Sequence, residues 1–372
     1  VVPSRNLALD VFRGMTVCFM ILVNNPGSWA TVYAPLLHAP WHGFTPTDLV
    51  FPSFLFAVGI SMAFSLTRFE QQSHAEFLKH VVKRSVIIFL IGLLLHLFPF
   101  YTTAADGSIH FKSLEKLRIF GVLQRIAVCY LAASVLIRFA PGWRTLLGLC
   151  GFALLSYWGL SLYFSWPGDD PYGLVNNAAR RLDLMLLGDK HLWHGEGIAF
   201  DPEGILSSVP ATVNVVAGYL IGGIIRSTET FPWKKVIILS ITLMGIALLW
   251  SFAWPINKKI WTGSYTLLTV GLDMLLLVAL HFLVSQRQPR WTYFFTVFGK
   301  NPLFIFVFSG VLIITLYRIK ISGTSVQQLM YTHAFANWLP PHTASLGFAV
   351  LFTLLCWGVG VWLDKKRIYI KV

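Results

Sequence analysis

Charge is scarce in this chain: 12% of its 372 residues are Asp, Glu, Lys or Arg, against about 25% in ordinary soluble domains. With 56% hydrophobic residues and a mean hydropathy of +0.66, that scarcity excludes a soluble globular protein and points to an integral membrane protein. Cysteine is scarce as well. Cys18, Cys129, Cys150 and Cys356 all fall in apolar runs and form no C-x-x-C pair, so buried thiols are expected and neither a disulfide framework nor a zinc site is. No Asn-x-Ser/Thr acceptor occurs, which favours a bacterial membrane over a secretory-pathway one. Internal repeats, low-complexity tracts and a separate soluble domain are also missing, so residues 1–372 read as one transmembrane domain.

What the chain has is apolar runs of membrane-spanning length. Ten are readable, near 9–27, 48–66, 82–98, 119–137, 144–166, 204–225, 233–254, 261–284, 298–317 and 345–363, each close to the 17 to 25 or so residues that cross a bilayer as a helix. The fold class is therefore all-α, a polytopic bundle of about ten helices. The 14 Trp, 12 Tyr and 30 Phe are enough to furnish aromatic belts at both interfaces. A formal net charge of +13 would suggest nucleic acid in a soluble protein; here the positive-inside rule accounts for it, and no nucleic-acid partner is expected. With the N-terminus inside, 16 Lys and Arg fall in cytoplasmic segments and 10 in outer ones. Both termini are thus expected in the cytoplasm. Val-Val-Pro-Ser-Arg-Asn leads into the first run without a small-residue cleavage site, so a start-transfer helix is expected in place of a cleaved signal peptide.

Arg13, Arg125, Lys300 and Asp273 fall within or at the edge of spans. Charge at membrane depth is costly and usually faces the bundle interior. Arg125 is expected near the outer face, where it could pair with an acid. The longest connection, about 167–203, also lies on the outer side, and connections of that length tend to carry function or motion.

The stretch from Asn24 to Pro52 packs two Asn, two His, an Asp and several Pro between two apolar runs. His38 changes charge near neutral pH and can serve as a base, with Asp48 to orient it and stabilise its protonated form. An interfacial polar histidine is the bland alternative. Asp48 has a second role available, since Thr45-Pro46-Thr47-Asp48 has the pattern of a helix capping box. Asn24 and Asn25 read either as a helix stop or as donors to a developing oxyanion. Asp201 and Glu203, in Asp-Pro-Glu-Gly, read as helix capping or as acids for a hydroxyl-rich or cationic acceptor. Lys300 reads as a phosphate contact or as a snorkelling side chain. His38 with His42, and His191 with His194 and Glu196, do not match a metal-ligand pattern, so no metal is expected.

Taken together, L-D-V-F-R-G (9–14), L-V-N-N-P-G, H-A-P-W-H-G-F-T-P-T-D-L-V-F-P, G-V-L-Q-R-I (121–126), D-P-E-G-I-L (201–206) and F-G-K-N-P (298–302) resemble the heparan-alpha-glucosaminide N-acetyltransferase family and its bacterial glucosamine-acetylating relatives. The resemblance implies a polytopic enzyme that takes acetyl from cytoplasmic acetyl-CoA to the amine of a terminal glucosamine at the other face. It implies His38 as the active-site histidine, with Asn24 or Asn25, Asp48 and Asp201 lining the acceptor end. Glu203, Gln124 and Arg125 lie in the same motifs and join the acceptor's candidates; Arg13, Lys300 and Asn301 are candidates for the acetyl-CoA side. Direct transfer with His38 as general base and an acetyl-histidine intermediate are both open. A large lumenal N-terminal domain and extra first span like those of the lysosomal enzyme are not expected, and a free amino sugar or an envelope glycan is the expected acceptor. The expected location is a bacterial inner membrane, and a homodimer is one open assembly state. An amino-sugar transporter and an O-acyltransferase of envelope polysaccharide are the rival readings.

Overall fold

The computed structural model describes residues 7–103, 108–140, 142–164, 170–228, 230–285 and 289–370. Arg5, Arg287 and Lys371, counted above among the basic residues of the termini face, lie outside the described residues. The helices are α1 (Leu7–Asn24), α2 (Val50–Ser65), α3 (His74–Leu97), α4 (Val122–Phe139), α5 (Trp143–Tyr163) and α6 (Ala178–Leu187). They continue with α7 (Ser208–Arg226), α8 (Trp233–Trp250), α9 (Gly263–Ser285), α10 (Trp291–Lys300), α11 (Pro302–Arg318), α12 (Val326–Tyr331) and α13 (Pro341–Lys365). Among the described residues nine helices are long and apolar enough to cross a membrane, and the bent pair α10–α11 brings the total to ten. The protein is an all-α, multi-pass membrane bundle.

The bundle is apolar on its outside as well as its inside. Val82, Val86, Leu90 and Leu94 form an exposed i, i+4 stripe along α3, the pattern of a helix whose outer face meets lipid. By contrast, α7 is central: 67% of its span is buried, against 17% of α8. Its closest neighbour is α2. A Cβ on Gly218 would lie 2.1 Å from the Phe56 carbonyl oxygen, and one on Gly59 would lie 1.9 Å from that of Val215. Only glycine permits this approach, and Gly218 with Gly222 repeats the small-x-x-x-small spacing that lets membrane helices touch backbone to backbone.

One expected span differs. The ninth apolar run, read as 298–317, is a helix that starts at Trp291, stops at Lys300 and resumes at Pro302 after an 85° turn. Proline has no N–H to continue the ladder and forces the residue before it out of the helical region; Asn301 accordingly sits at φ −133°, ψ 53°. The long connection between α5 and α7 contains α6, and the connection after α11 folds into a small hairpin, β1 (Lys320–Ile321) with β2 (Thr324–Ser325), followed by α12 and a π-helical turn. Those connections join the loops at 25–46, 98–103, 108–121 and 251–262 on one face of the bundle. Leu7 and Ile370 lie at the opposite face.

Candidate active site

The loop after α1 is fastened from several sides. α1 ends at Asn24, and the Asn25 side chain donates to the Ile21 carbonyl at 2.6 Å, so the expected helix stop forms. Further on, Gly43 N–H bonds to Ile256 O at 2.8 Å, Trp41 Nε1–H donates to Tyr172 O at 2.8 Å, and Lys259 donates to Pro40 O at 2.8 Å. These contacts recruit segments far away in the chain to hold the connection between α1 and α2.

At the centre is His38. Its Nδ1 lies 2.7 Å from Asp48 Oδ1. The other carboxylate oxygen accepts the Ala39 N–H at 3.1 Å and the Thr45 N–H at 2.9 Å, which completes the capping arrangement read from Thr45-Pro46-Thr47-Asp48. The Asp48 main-chain oxygen receives the Tyr265 hydroxyl at 2.6 Å. Asp48 is fully buried, whereas the His38 side chain keeps 39% of its surface open. A carboxylate that accepts backbone N–H groups favours its charged form, and so puts the shared proton on His38 Nδ1. That leaves the Nε2 lone pair as the basic site.

Lys258 reaches the same ring, with Nζ 2.9 Å from Nε2 and 3.0 Å from Nδ1. Burial lowers the His38 pKa, the Asp48 hydrogen bond pulls it back, and the Lys258 charge lowers it again; the net direction is down. Burial also brings the Lys258 ammonium down to about 8, against the upward pull of Glu203 and Asp48.

Beside this pair lies a second polar lattice. Arg118 grips Asp201 with two hydrogen bonds, Nε to Oδ2 at 2.9 Å and Nη2 to Oδ1 at 2.7 Å, and reaches Glu203 Oε2 at 2.6 Å. Burial opposes the Arg118 charge, but the two carboxylates outweigh it and raise the pKa. Burial likewise works against ionised Glu203, and the Arg118 charge overrides it to hold that acid below its usual range. Asp201 and Glu203 are therefore ion-pair partners; α7 begins later, at Ser208, and they do not cap it. Arg125 is fully buried, but its Nη2 bonds Gly204 O at 3.3 Å and the Ser207 hydroxyl, and its guanidinium covers the Trp261 ring at 4.8 Å. The acid partner expected for Arg125 belongs instead to Arg118, which sits in the loop before α4 where a long side chain reaches both carboxylates. Among the described residues, Arg125 Nε and Nη1 and both amide atoms of Gln124 have no hydrogen-bond partner.

The remaining candidates lie elsewhere. Lys300 bonds both oxygens of Asp364 at 2.7 and 2.8 Å, and Asn301 ties the C-terminal backbone at Ile368 O (3.0 Å) and Ile370 N–H (2.8 Å). Arg13 bonds Asp10 at 3.1 Å. All three are at the termini face. His191 bonds Leu117 O, and Glu196 is paired with Lys259 at 2.7 Å; among the described residues no group of three or more His, Cys, Asp or Glu is placed to hold a metal ion. The four cysteines are free. Lys258, Arg118 and Tyr265 were not singled out by sequence. Their only signal was membership, for the two basic residues, in outer-face loops on the same side as His38.

A histidine oriented by a buried carboxylate, held at one face of a membrane bundle, is an arrangement that can serve acyl transfer. Residues 5–185 match the catalytic family of heparan-alpha-glucosaminide N-acetyltransferase. The match to that N-acetyltransferase family contains His38, Asp48, Arg118, Gln124 and Arg125, and stops before Asp201 and Lys258. Beyond it, the chain is 29% identical over 367 residues to the heparan-alpha-glucosaminide N-acetyltransferase of Homo sapiens, an alignment covering 82% of this chain and 52% of that protein. It is 28% identical over 372 residues to the Mus musculus protein of the same name, covering 83% and 54%. The chain thus spans about half the length of the N-acetyltransferases it matches.

Proposed function

We propose that this chain is a membrane-embedded acetyltransferase that moves acetyl from acetyl-CoA to the amine of glucosamine or of a terminal glucosaminide, with His38 as general base. The observation that carries the reading is the 2.7 Å His38–Asp48 bond inside the stretch matched to the acetyltransferase family. In the reaction the acceptor nitrogen attacks the thioester carbonyl, a C–N bond forms and the C–S bond breaks. The amine proton passes to His38 Nε2 and is then available to the departing thiolate, while Asp48 stabilises the imidazolium. Asn24 has an exposed side chain at the end of α1, and so is the freer of the two asparagines to polarise the carbonyl. Asp201 and Glu203, anchored on Arg118, supply acceptors for sugar hydroxyls, and the unpartnered polar atoms of Gln124 and Arg125 extend that polar lining into the bundle.

The rest of the reading follows the charge distribution. The termini face is cytoplasmic by the positive-inside rule, in the inner membrane of a bacterium, and the His38 face is external. CoA phosphates then meet basic groups on the termini face. Lys300, Asn301 and Arg13 already have partners there, so the exposed Lys79, Lys83, Lys234 and Lys235 take the larger share. The test is acetyl transfer from labelled acetyl-CoA to glucosamine by the purified protein. His38→Ala should lower turnover by about 10²- to 10⁴-fold, the usual worth of a general base, with thermal unfolding unchanged. Full transfer by the variant overturns the mechanism.

A further inference from the structure

Besides the buried Arg125, three basic side chains approach the His38 site, and two of them are paired with acids: Arg118 with Asp201 and Glu203, Lys259 with Glu196. Lys258 differs. Among the described residues it forms no ion pair, and its ammonium is placed on the His38 ring at 2.9 Å from Nε2 and 3.0 Å from Nδ1. Because Nδ1 already carries the proton directed at Asp48, only Nε2 can accept from Lys258. The same lone pair is the one a base needs.

We propose that Lys258 is a positioning residue for His38, whose ammonium keeps the imidazole uncharged and its Nε2 lone pair in place until the acceptor amine arrives. This inference rests on the reading of His38 as the base, and it adds how that base is kept ready. Asp48 alone would do the opposite. A buried carboxylate 2.7 Å from an imidazole stabilises the imidazolium, and a base already protonated by its own partner takes no proton from a substrate. The Lys258 charge, about equally near both ring nitrogens, offsets that pull. The charged groups that bear on the pair are Asp48 from the turn before α2, Glu203 from the loop before α7, Lys259 from its own loop and Arg125 from α4. With its pKa near 8, Lys258 carries its charge throughout the range where His38 would otherwise protonate, and loses it only where the ring is neutral anyway.

The test reads His38 ionisation directly and does not depend on activity. The rate of carbethoxylation of His38 by diethyl pyrocarbonate, followed on its peptide by mass spectrometry, tracks the neutral fraction of the ring across pH 5 to about 9. In Lys258→Met the midpoint should rise by roughly one pH unit, the value a unit charge at 3 Å gives even at the dielectric of water. Lys258→Arg should restore the wild-type midpoint, and thermal unfolding should show all three proteins folded. An unchanged midpoint in Lys258→Met, or a raised one that Arg does not correct, overturns the proposal. The acid limb of the acetyl-transfer pH profile should move with the midpoint. If modification shifts and the transfer profile does not, the charge coupling stands and the role of His38 as base falls.

Discussion

The polar cluster at His38 and the one at Lys300 lie at opposite ends of the same bundle, and both stand out in the sequence as charged residues beside prolines. They are built in opposite ways. At the termini face Lys300, Asp364, Tyr293, Tyr369 and Asn301 use one another: Asp364 receives Lys300 at 2.7 and 2.8 Å and the two tyrosine hydroxyls at 3.1 Å each. Asn301 binds backbone with both ends of its amide. That set is closed, and it clasps the C-terminal segment to the break between α10 and α11. At the His38 face the carboxylate of Asp48 is saturated by the protein, but the ring it orients keeps 39% of its surface open. Polar groups that satisfy each other fasten a fold; a fixed group that holds another in the open prepares it for a ligand.

The comparison is sharpest at Asp48. Asp48→Asn keeps an acceptor for the Ala39 and Thr45 N–H groups and loses the charge that stabilises the imidazolium, so acetyl transfer should drop by about 10²- to 10⁴-fold while the unfolding temperature barely moves. Turnover and thermal unfolding measured on one preparation separate the two effects; a loss of folding in step with activity would make Asp48 a fastening like Lys300. The reverse pattern belongs to Lys300→Met. It leaves Asp364 without its cation and should reduce stability by about 1 to 2 kcal/mol, with the KM for acetyl-CoA unchanged. A raised KM would put the donor at this cluster and dissolve the contrast.

The smallest effect lies beneath the outer face. Asp183 on α6 is fully buried, with Oδ1 bonded to Ile205 N–H at 2.9 Å and Oδ2 unpartnered. Burial is the chief cause that raises its pKa from 3.8 to about 7. The folded state therefore prefers the protonated acid, and ionisation of the unfolded chain draws stability away as pH rises from about 4 to 7. Asp183→Asn should unfold at a slightly higher temperature than wild type, with a gain that grows over that range and is larger at pH 8 than at pH 5. An equal gain at both pH values would mean that the carboxyl is not the source.

The spans were legible because each is a long, predominantly apolar run, and hydropathy needs no knowledge of neighbours. Asp48 was legible for a similar reason: its capping pattern is local. The broken ninth span was harder, since the residues before Phe298 are aromatic and apolar enough to belong to a helix or to a loop, and the bend depends on Asn301 and Pro302 together. Lys258 and Arg118 were illegible as site residues. Lys258 is 220 positions from His38 and Arg118 is 83 from Asp201, and nothing in a basic loop residue tells which of several loops on its face it will meet. Arg125 was read correctly as buried and wrongly as the partner of an acid, because a motif shows which residues travel together and not which of two arginines is nearer.

The contact between α2 and α7 reaches beyond packing. Asp48 stands in the turn that leads into α2, and Asp201 and Glu203 stand just ahead of α7, so the orienting acid and the arginine lattice are mounted on two helices with no side chains between their backbones at Gly59 and Gly218. The gap across the site is set like that of a caliper locked at one opening. Under the proposed function, an acceptor would then have to fit an opening whose width the two helix backbones set, with only the loops around it left to adjust.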